Sequence, residues 1–174
     1  MSPVSVSVVI PTFRRPSSIR RCLEALDRQT ASSDRFEVIV VDDEPSDATA
    51  DVVNARSWGM RVRYVPHRHG GAGAARNRGV EAAEGEWCLF VDDDIVAAPE
   101  LVAEHLAAQE AAGGAVALGA IGLRLRERRS GLAAHLGRWW HEHYHELDAG
   151  EVDPSFWDCY TGNLSVPVAA FKEV

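Results

Sequence analysis

Short runs rich in β-branched residues alternate with helix-like stretches along this chain, and three of those runs end in conspicuous polar or acidic residues. Val4-Ser5-Val6-Ser7-Val8-Val9-Ile10 reads as a strand closed by Pro11. Ser17 or Ser18 can then cap a helix that carries Ile19, Cys22, Leu23 and Leu26 on one face. Phe36-Glu37-Val38-Ile39-Val40-Val41 is nearly continuous in apolar character, the pattern of a strand covered on both faces. A loop over Asp42–Asp47 follows, then a helix to about Arg56.

Arg61–Val65 reads as a third strand. A turn with Gly70, Gly71 and Gly73 leads into an Ala-rich helix ending near Gly85. Trp87–Val91 is a fourth strand, delivering Asp92-Asp93-Asp94 at its end. Pro99 suits the start of a helix over about 99–112, where its missing N–H is tolerated, and Ala115–Leu125 reads as a further strand. Beyond it the regularity fades into a basic stretch, Arg124–Arg129, and a helix carrying Leu132, Leu136, Trp139 and Trp140.

Strand–helix repetition with short connections predicts an α/β fold, a parallel, right-handed, doubly wound sheet. Ligands of such sheets bind in the crevice outside the carboxyl ends of the strands. Three of those ends carry Pro11-Thr12-Phe13-Arg14, Asp42-Asp43 and Asp92-Asp93-Asp94.

A length of 174 residues, 46% of them hydrophobic, suits a single domain with a real core. A net charge of −8 argues against a binder of nucleic-acid backbone, whereas a nucleotide diphosphate can still be bound through an intervening cation. Cys22, Cys88 and Cys159 are odd in number and widely spaced, which reads as reduced thiols and a cytoplasmic protein. The N-terminus lacks the basic region of a signal peptide, and no apolar run approaches the roughly 20 residues that span a bilayer.

Three adjacent carboxylates leaving a buried strand repel one another, so Asp92, Asp93 and Asp94 must be solvated or bound to a cation. Their hard oxygen atoms favour Mg²⁺ or Mn²⁺, and the other reading is an acidic turn capping the next helix. Asp42-Asp43 can accept hydrogen bonds from a nucleobase imide or ribose hydroxyls, or form a plain turn. Gly71-Ala72-Gly73-Ala74-Ala75-Arg76 approaches a dinucleotide fingerprint, but it has Arg at the third glycine and does not follow the first strand, so no nicotinamide cofactor is implied. That helix start, with Arg76 and Arg78, faces phosphates or is an ordinary glycine-rich turn. His141-Glu142-His143-Tyr144-His145 satisfies the spacing of a zinc-protease helix. The alternative there is an amphipathic helix with Trp139 and Trp140 packed and its histidines solvated.

Taken in order, SVVIPTFRRPSSIRRCLEAL, FEVIVVDDEPSDAT, GGAGAARNRGVEAAEGEWCLFVDDDIVAAPELV and YTGNLSVPVAAFKEV resemble the family-2 glycosyltransferases of the GT-A fold along nearly the whole chain. The resemblance implies a Rossmann-like, mostly parallel sheet with helices on both faces, residues 1–112 forming the nucleotide-binding half and 113–174 the start of the acceptor half. It implies metal-dependent transfer of a sugar, with inversion, from a UDP-, GDP- or dTDP-linked donor to an acceptor hydroxyl. Pro11, Thr12 and Phe13 match the segment along the nucleobase, Asp43 the carboxylate that recognises the base, and Arg76 lies in an ARNRG-like segment beside the donor. Asp94 matches the ligand of an Mg²⁺ or Mn²⁺ ion that bridges the diphosphate, and Asp92 or Asp93 the contact to the ribose or that ion. Gly162 and Asn163, after Thr161, match a segment flanking the sugar and acceptor. Glu44-Pro45 departs from the small turn usual in relatives. The family's catalytic base is an acidic residue expected beyond Val174, so the resemblance also implies an alternative, a nucleotide-sugar-binding fragment without its base. A nucleotidyltransferase would instead show a glycine-rich basic loop after the first strand, where PTFRRP stands.

Overall fold

A computed structural model describes residues 4–122 and 131–172. Six strands form one sheet in the order β3-β2-β1-β4-β6-β5, where β1 is Val6–Thr12, β2 Phe36–Asp42, β3 Arg61–Pro66, β4 Trp87–Val91, β5 Ala117–Leu118 and β6 Asn163–Pro167. The first four run parallel, and β6 lies antiparallel to both β4 and β5. The helices are α1 (Pro16–Leu26), α2 (Asp47–Asn54), α3 (Gly71–Ala82), α4 (Leu101–Ala112), α5 (Gly131–Asp148) and α6 (Val168–Lys172).

Every residue of β1, β2 and β4 is buried, because successive side chains enter two different cores. Val8, Ile10, Val38, Val40, Leu89 and Val91 pack with Ile19, Leu23, Val52 and Val102 of α1, α2 and α4. Val9, Ile39, Val41, Cys88 and Phe90 pack on the opposite face with Ala75 and Val80 of α3. Helices therefore cover both faces, and the sheet is a mixed one dominated by its parallel half.

Several local expectations shift. β1 does not stop before Pro11 but runs on to Thr12, with Pro11 opposite Val41. Pairing with β4 ends at Val9↔Phe90, so Pro11 lies where its missing N–H breaks no two-sided ladder. α1 is not capped by Ser17 or Ser18; Arg15 takes the N-cap position and Pro16 the first helical one, where no amide is needed. A serine does cap α2, Ser46 accepting from the Thr49 amide at 3.4 Å. α4 starts at Leu101, after Pro99. The strand expected over Ala115–Leu125 is only Ala117–Leu118, while the remainder beyond Gly122 and the whole of the basic stretch lie outside the described residues.

The register sets the site. Thr12 is level with Asp42, Asp42 is level with Pro66, and Val91 is level with Asn163. The ends of β1, β2, β3 and β4 and the start of β6 thus share one edge of the sheet.

Candidate functional site

At that edge Pro11, Thr12, Phe13, Arg15, Asp43, Ala72, Arg76, Asp92, Asp93 and Asp94 line a cleft of about 300 Å³. Eight of these ten residues come from the segments just after β1, β2 and β4 and from α3; Pro11 and Thr12 are the last two residues of β1.

Asp93 is the buried member of the acidic run. Thr12 Oγ1 donates to it at 2.7 Å and Arg15 Nη1 at 3.1 Å. Burial raises the pKa of Asp93, and these two donors only partly offset that shift. Asp92 accepts from Arg76 Nη2 at 2.5 Å. Asp94 is the most open of the three, its side chain 62% exposed with Arg15 at 3.5 Å. Arg15 Nη1 thus bridges Asp93 and Asp94, while Asp92 is held separately by Arg76.

Asp43 is organised differently. Its Oδ1 accepts from His67 Nδ1 at 2.8 Å and the Gly70 amide at 2.9 Å. Its Oδ2 accepts from His69 Nδ1 at 2.8 Å and the Gly71 amide at 2.9 Å. A carboxylate can only accept, so both histidines carry their hydrogen on Nδ1. Burial pushes the Asp43 pKa up, but the hydrogen bonds from His67, Gly70, Gly71 and His69 together outweigh it and hold the group below its ordinary value. Gly71 stands at φ +86°, a conformation that L side chains rarely adopt, and this turn lets two consecutive amides address one carboxylate. Asp42, by contrast, is a structural residue: buried, it accepts from Ser46 N at 3.2 Å and Tyr64 Oη at 3.0 Å.

Phe13 lines the cleft, and the next residue, Arg14, adopts φ 56°. Arg14 is held in this left-handed turn by Glu44, whose Oε1 takes a 2.6 Å bond from Nη2. The departure at Glu44 therefore has a local role, fastening the turn after β1 to the turn after β2. Gly162 lies against the triplet, since a Cβ there would stand 3.1 Å from Asp92 Oδ2. Asn163 does not enter the cleft. It is buried, its Oδ1 facing His105 Nε2 at 2.8 Å and its Nδ2 donating to Ala120 O at 3.0 Å.

Arg15, His67 and His69 escaped the sequence reading. Arg15 was legible as a second cation directly after the first strand, whereas the histidines sit between the end of β3 and the glycine turn and carry no local sign that they meet Asp43. The HExxH spacing leads elsewhere: His141 and His145 line a separate cavity beside α5, while His143 is not solvated but bonds Asp158 at 2.5 Å and stacks on Trp139. Among the described residues no group of three His, Cys, Asp or Glu side chains could by itself enclose a metal ion, and no helix is long and apolar enough to cross a membrane.

The family described as "Glycosyl transferase family 2" matches residues 7–174. Validoxylamine A glucosyltransferase of Streptomyces hygroscopicus subsp. limoneus is 39% identical over 105 residues, 59% of this chain and 23% of that protein. Poly(ribitol-phosphate) beta-glucosyltransferase of Bacillus spizizenii is 36% identical over 94 residues, 52% of this chain and 15% of that protein. Among solved structures, TarS 1–349 of S. aureus in complex with UDP-GlcNAc superposes with a TM-score of 0.64 at 29% identity, covering 73% of this chain and 37% of that one. The chain spans a quarter or less of the length of these two curated relatives.

Proposed function

Because this chain belongs to glycosyl transferase family 2, we propose that its cleft binds the nucleoside diphosphate of a sugar donor and serves metal-dependent, inverting transfer of that sugar to an acceptor hydroxyl. The observation that carries this reading is the convergence of Pro11–Phe13, Asp43, Arg76 and Asp92–Asp94 on one cleft at the carboxyl edge of the sheet. The UDP-GlcNAc complex of the S. aureus relative lends support to a nucleotide-sugar donor.

Electrostatics favours a cation. Four aspartates and only two arginines line the cleft, so a pyrophosphate would enter a site already short of positive charge. Mg²⁺ and Mn²⁺ commonly use one or two protein carboxylates and complete their shells with phosphates and water. The oxygen donors here fit such an ion, with the exposed Asp94 as the first ligand and Asp92 as the second. When bound, the ion would neutralise charge that builds on the departing diphosphate.

The chain's own groups do the remaining work in this reading. Arg76 Nε is buried and has no hydrogen-bond partner among the described residues, a donor left over for a phosphate or ribose oxygen. Arg15, bridging Asp93 and Asp94, places positive charge between two neighbouring carboxylates and offsets their repulsion. Phe13 offers a ring face to the base, and Gly162 leaves room beside Asp92 where any side chain would crowd it.

Thermal denaturation with UDP, GDP and dTDP sugars, with and without Mn²⁺, tests the reading, because a ligand of the native state raises stability by RT ln(1 + [L]/Kd). A Mn²⁺-dependent rise that Asp94→Asn abolishes is expected. No rise with any donor would refute it, and turnover of the same donors is measured separately from binding.

A further inference from the structure

We propose that the His69 side chain occupies the nucleobase position of the cleft until a nucleotide displaces it, and that the single place it vacates on Asp43 selects uracil or thymine over guanine. This rests on the reading of the cleft as a nucleoside diphosphate site and deepens it by naming the base.

A carboxylate offers about four lone-pair positions, and Asp43 has four donors: His67, His69, and the amides of Gly70 and Gly71. No base can reach this carboxylate by simple addition. One donor must leave, and the four are not equally free to do so. The two amides belong to the turn that opens α3, and moving them would shift the helix that carries Arg76. The His67 side chain is 21% exposed, whereas that of His69 is 64% exposed. His69 is the donor that can swing out into water.

Its ring also does a second thing. The His69 imidazole lies 4.8 Å from the Phe13 ring, tilted by 35°. A flat heteroaromatic ring beside Phe13, with one N–H directed at Asp43, is what a pyrimidine imide would present at the same spot. Exchange of one for the other keeps the carboxylate fully satisfied and keeps a ring against Phe13, so neither state leaves a buried acceptor bare.

The count of vacancies sets the preference. Uracil and thymine carry one imide N–H between two carbonyl oxygens, and need one carboxylate position. Guanine brings two adjacent donors, which pair with both oxygens of a carboxylate. The second oxygen, Oδ1, stays occupied by His67 and the Gly70 amide. Cytosine and adenine place a ring lone pair next to their amino group, facing the carboxylate unfavourably.

Isothermal titration with UDP, GDP and inorganic pyrophosphate, at fixed Mn²⁺, tests this on the wild-type chain, His69→Ala and the His67→Ala/His69→Ala double variant. UDP is expected to bind the wild type at least tenfold tighter than GDP. His69→Ala should bind UDP about tenfold tighter still, the change that follows from removing one competing hydrogen bond to a charged group, with pyrophosphate affinity unchanged. The double variant, with both oxygens opened, should gain more for GDP than for UDP. His69 is a surface side chain, and an unchanged melting temperature confirms that the variant is folded. The proposal is overturned if His69→Ala leaves UDP affinity unchanged or weakens it, if pyrophosphate affinity rises in parallel, or if GDP binds the wild type as tightly as UDP. If none of the three ligands binds, the donor-site reading itself fails; nucleotide binding without the gain at His69 removes only the present inference.

Discussion

Thr12 Oγ1 donates a 2.7 Å hydrogen bond to Asp93 Oδ2, tying the end of β1 to the acidic turn after β4 across 81 residues of sequence. Both side chains are buried, so this bond replaces solvation that Asp93 has lost.

Thr12→Val keeps the shape and removes the donor, leaving a buried carboxylate short of one partner. A loss of about 1–3 kcal/mol at neutral pH is expected, a fall in Tm of roughly 2–12 °C for a chain of this size. Because burial already raises the Asp93 pKa, its contribution to stability is present below the ordinary carboxylate value and is lost as pH rises through the folded one. The deficit of Thr12→Val should therefore shrink as pH falls, which paired melting curves at neutral and acidic pH would show.

Arg76 sits on α3 with its side chain 17% exposed and bonds Asp92 at 2.5 Å. Arg76→Lys keeps the charge but loses the planar fork and the unpartnered Nε. UDP affinity is expected to drop about tenfold or more, as for loss of one charge-assisted hydrogen bond, with little change in the melting temperature of the free protein. Calorimetric titration beside a melt separates the two effects.

Gly79 lets α3 lie directly on β1: a Cβ there would stand 2.2 Å from Val9 Cγ1 and 3.3 Å from Val41 Cγ2. Gly79→Ala must push the helix away from two fully buried side chains. Overpacking of this kind costs about 1–3 kcal/mol, and α3 carries Arg76 with it. A lower Tm together with weaker UDP binding is expected; a melting temperature equal to the wild type would show that the sheet yields instead.

Asp158 should govern how the α5 region responds to acid. Its carboxylate accepts from the Ser155 hydroxyl and amide, each at 2.7 Å, and then from His143, which together bring its pKa down to about 2. The depressed value means that its stabilisation is complete above the ordinary carboxylate range near pH 3.9 and disappears as pH falls toward about 2. Trp139 stacks on His143 at 5.3 Å, so tryptophan fluorescence should report this local loosening between about pH 4 and 2. In Asp158→Asn the step should be absent, the segment having lost its charge at every pH.

The strands of the parallel half, their order along the chain and the acidic ends of β2 and β4 were legible because each rests on local pattern. Val38–Val41 and Trp87–Val91 read as buried strands from composition alone, and both are buried. Even so, Pro11 misled: a residue that breaks a two-sided ladder is harmless where the neighbouring strand has already ended. A strand was expected where the short β5 lies, though a longer one, whereas the antiparallel β6 was not legible, having no periodic run long enough to announce itself.

What the amino-acid order determined by itself is thus the set of strand ends and the kinds of side chain they carry, because hydrophobic periodicity acts over a few neighbouring residues. Which of those side chains meet was decided only in three dimensions. His69 reaches Asp43 over 26 residues and Arg15 reaches Asp93 over 78. Asn163, expected beside the sugar, was instead drawn inward by His105, 58 residues away. Such pairings depend on register across the sheet and on which face each helix covers, and both are properties of the packed chain rather than of any segment of it.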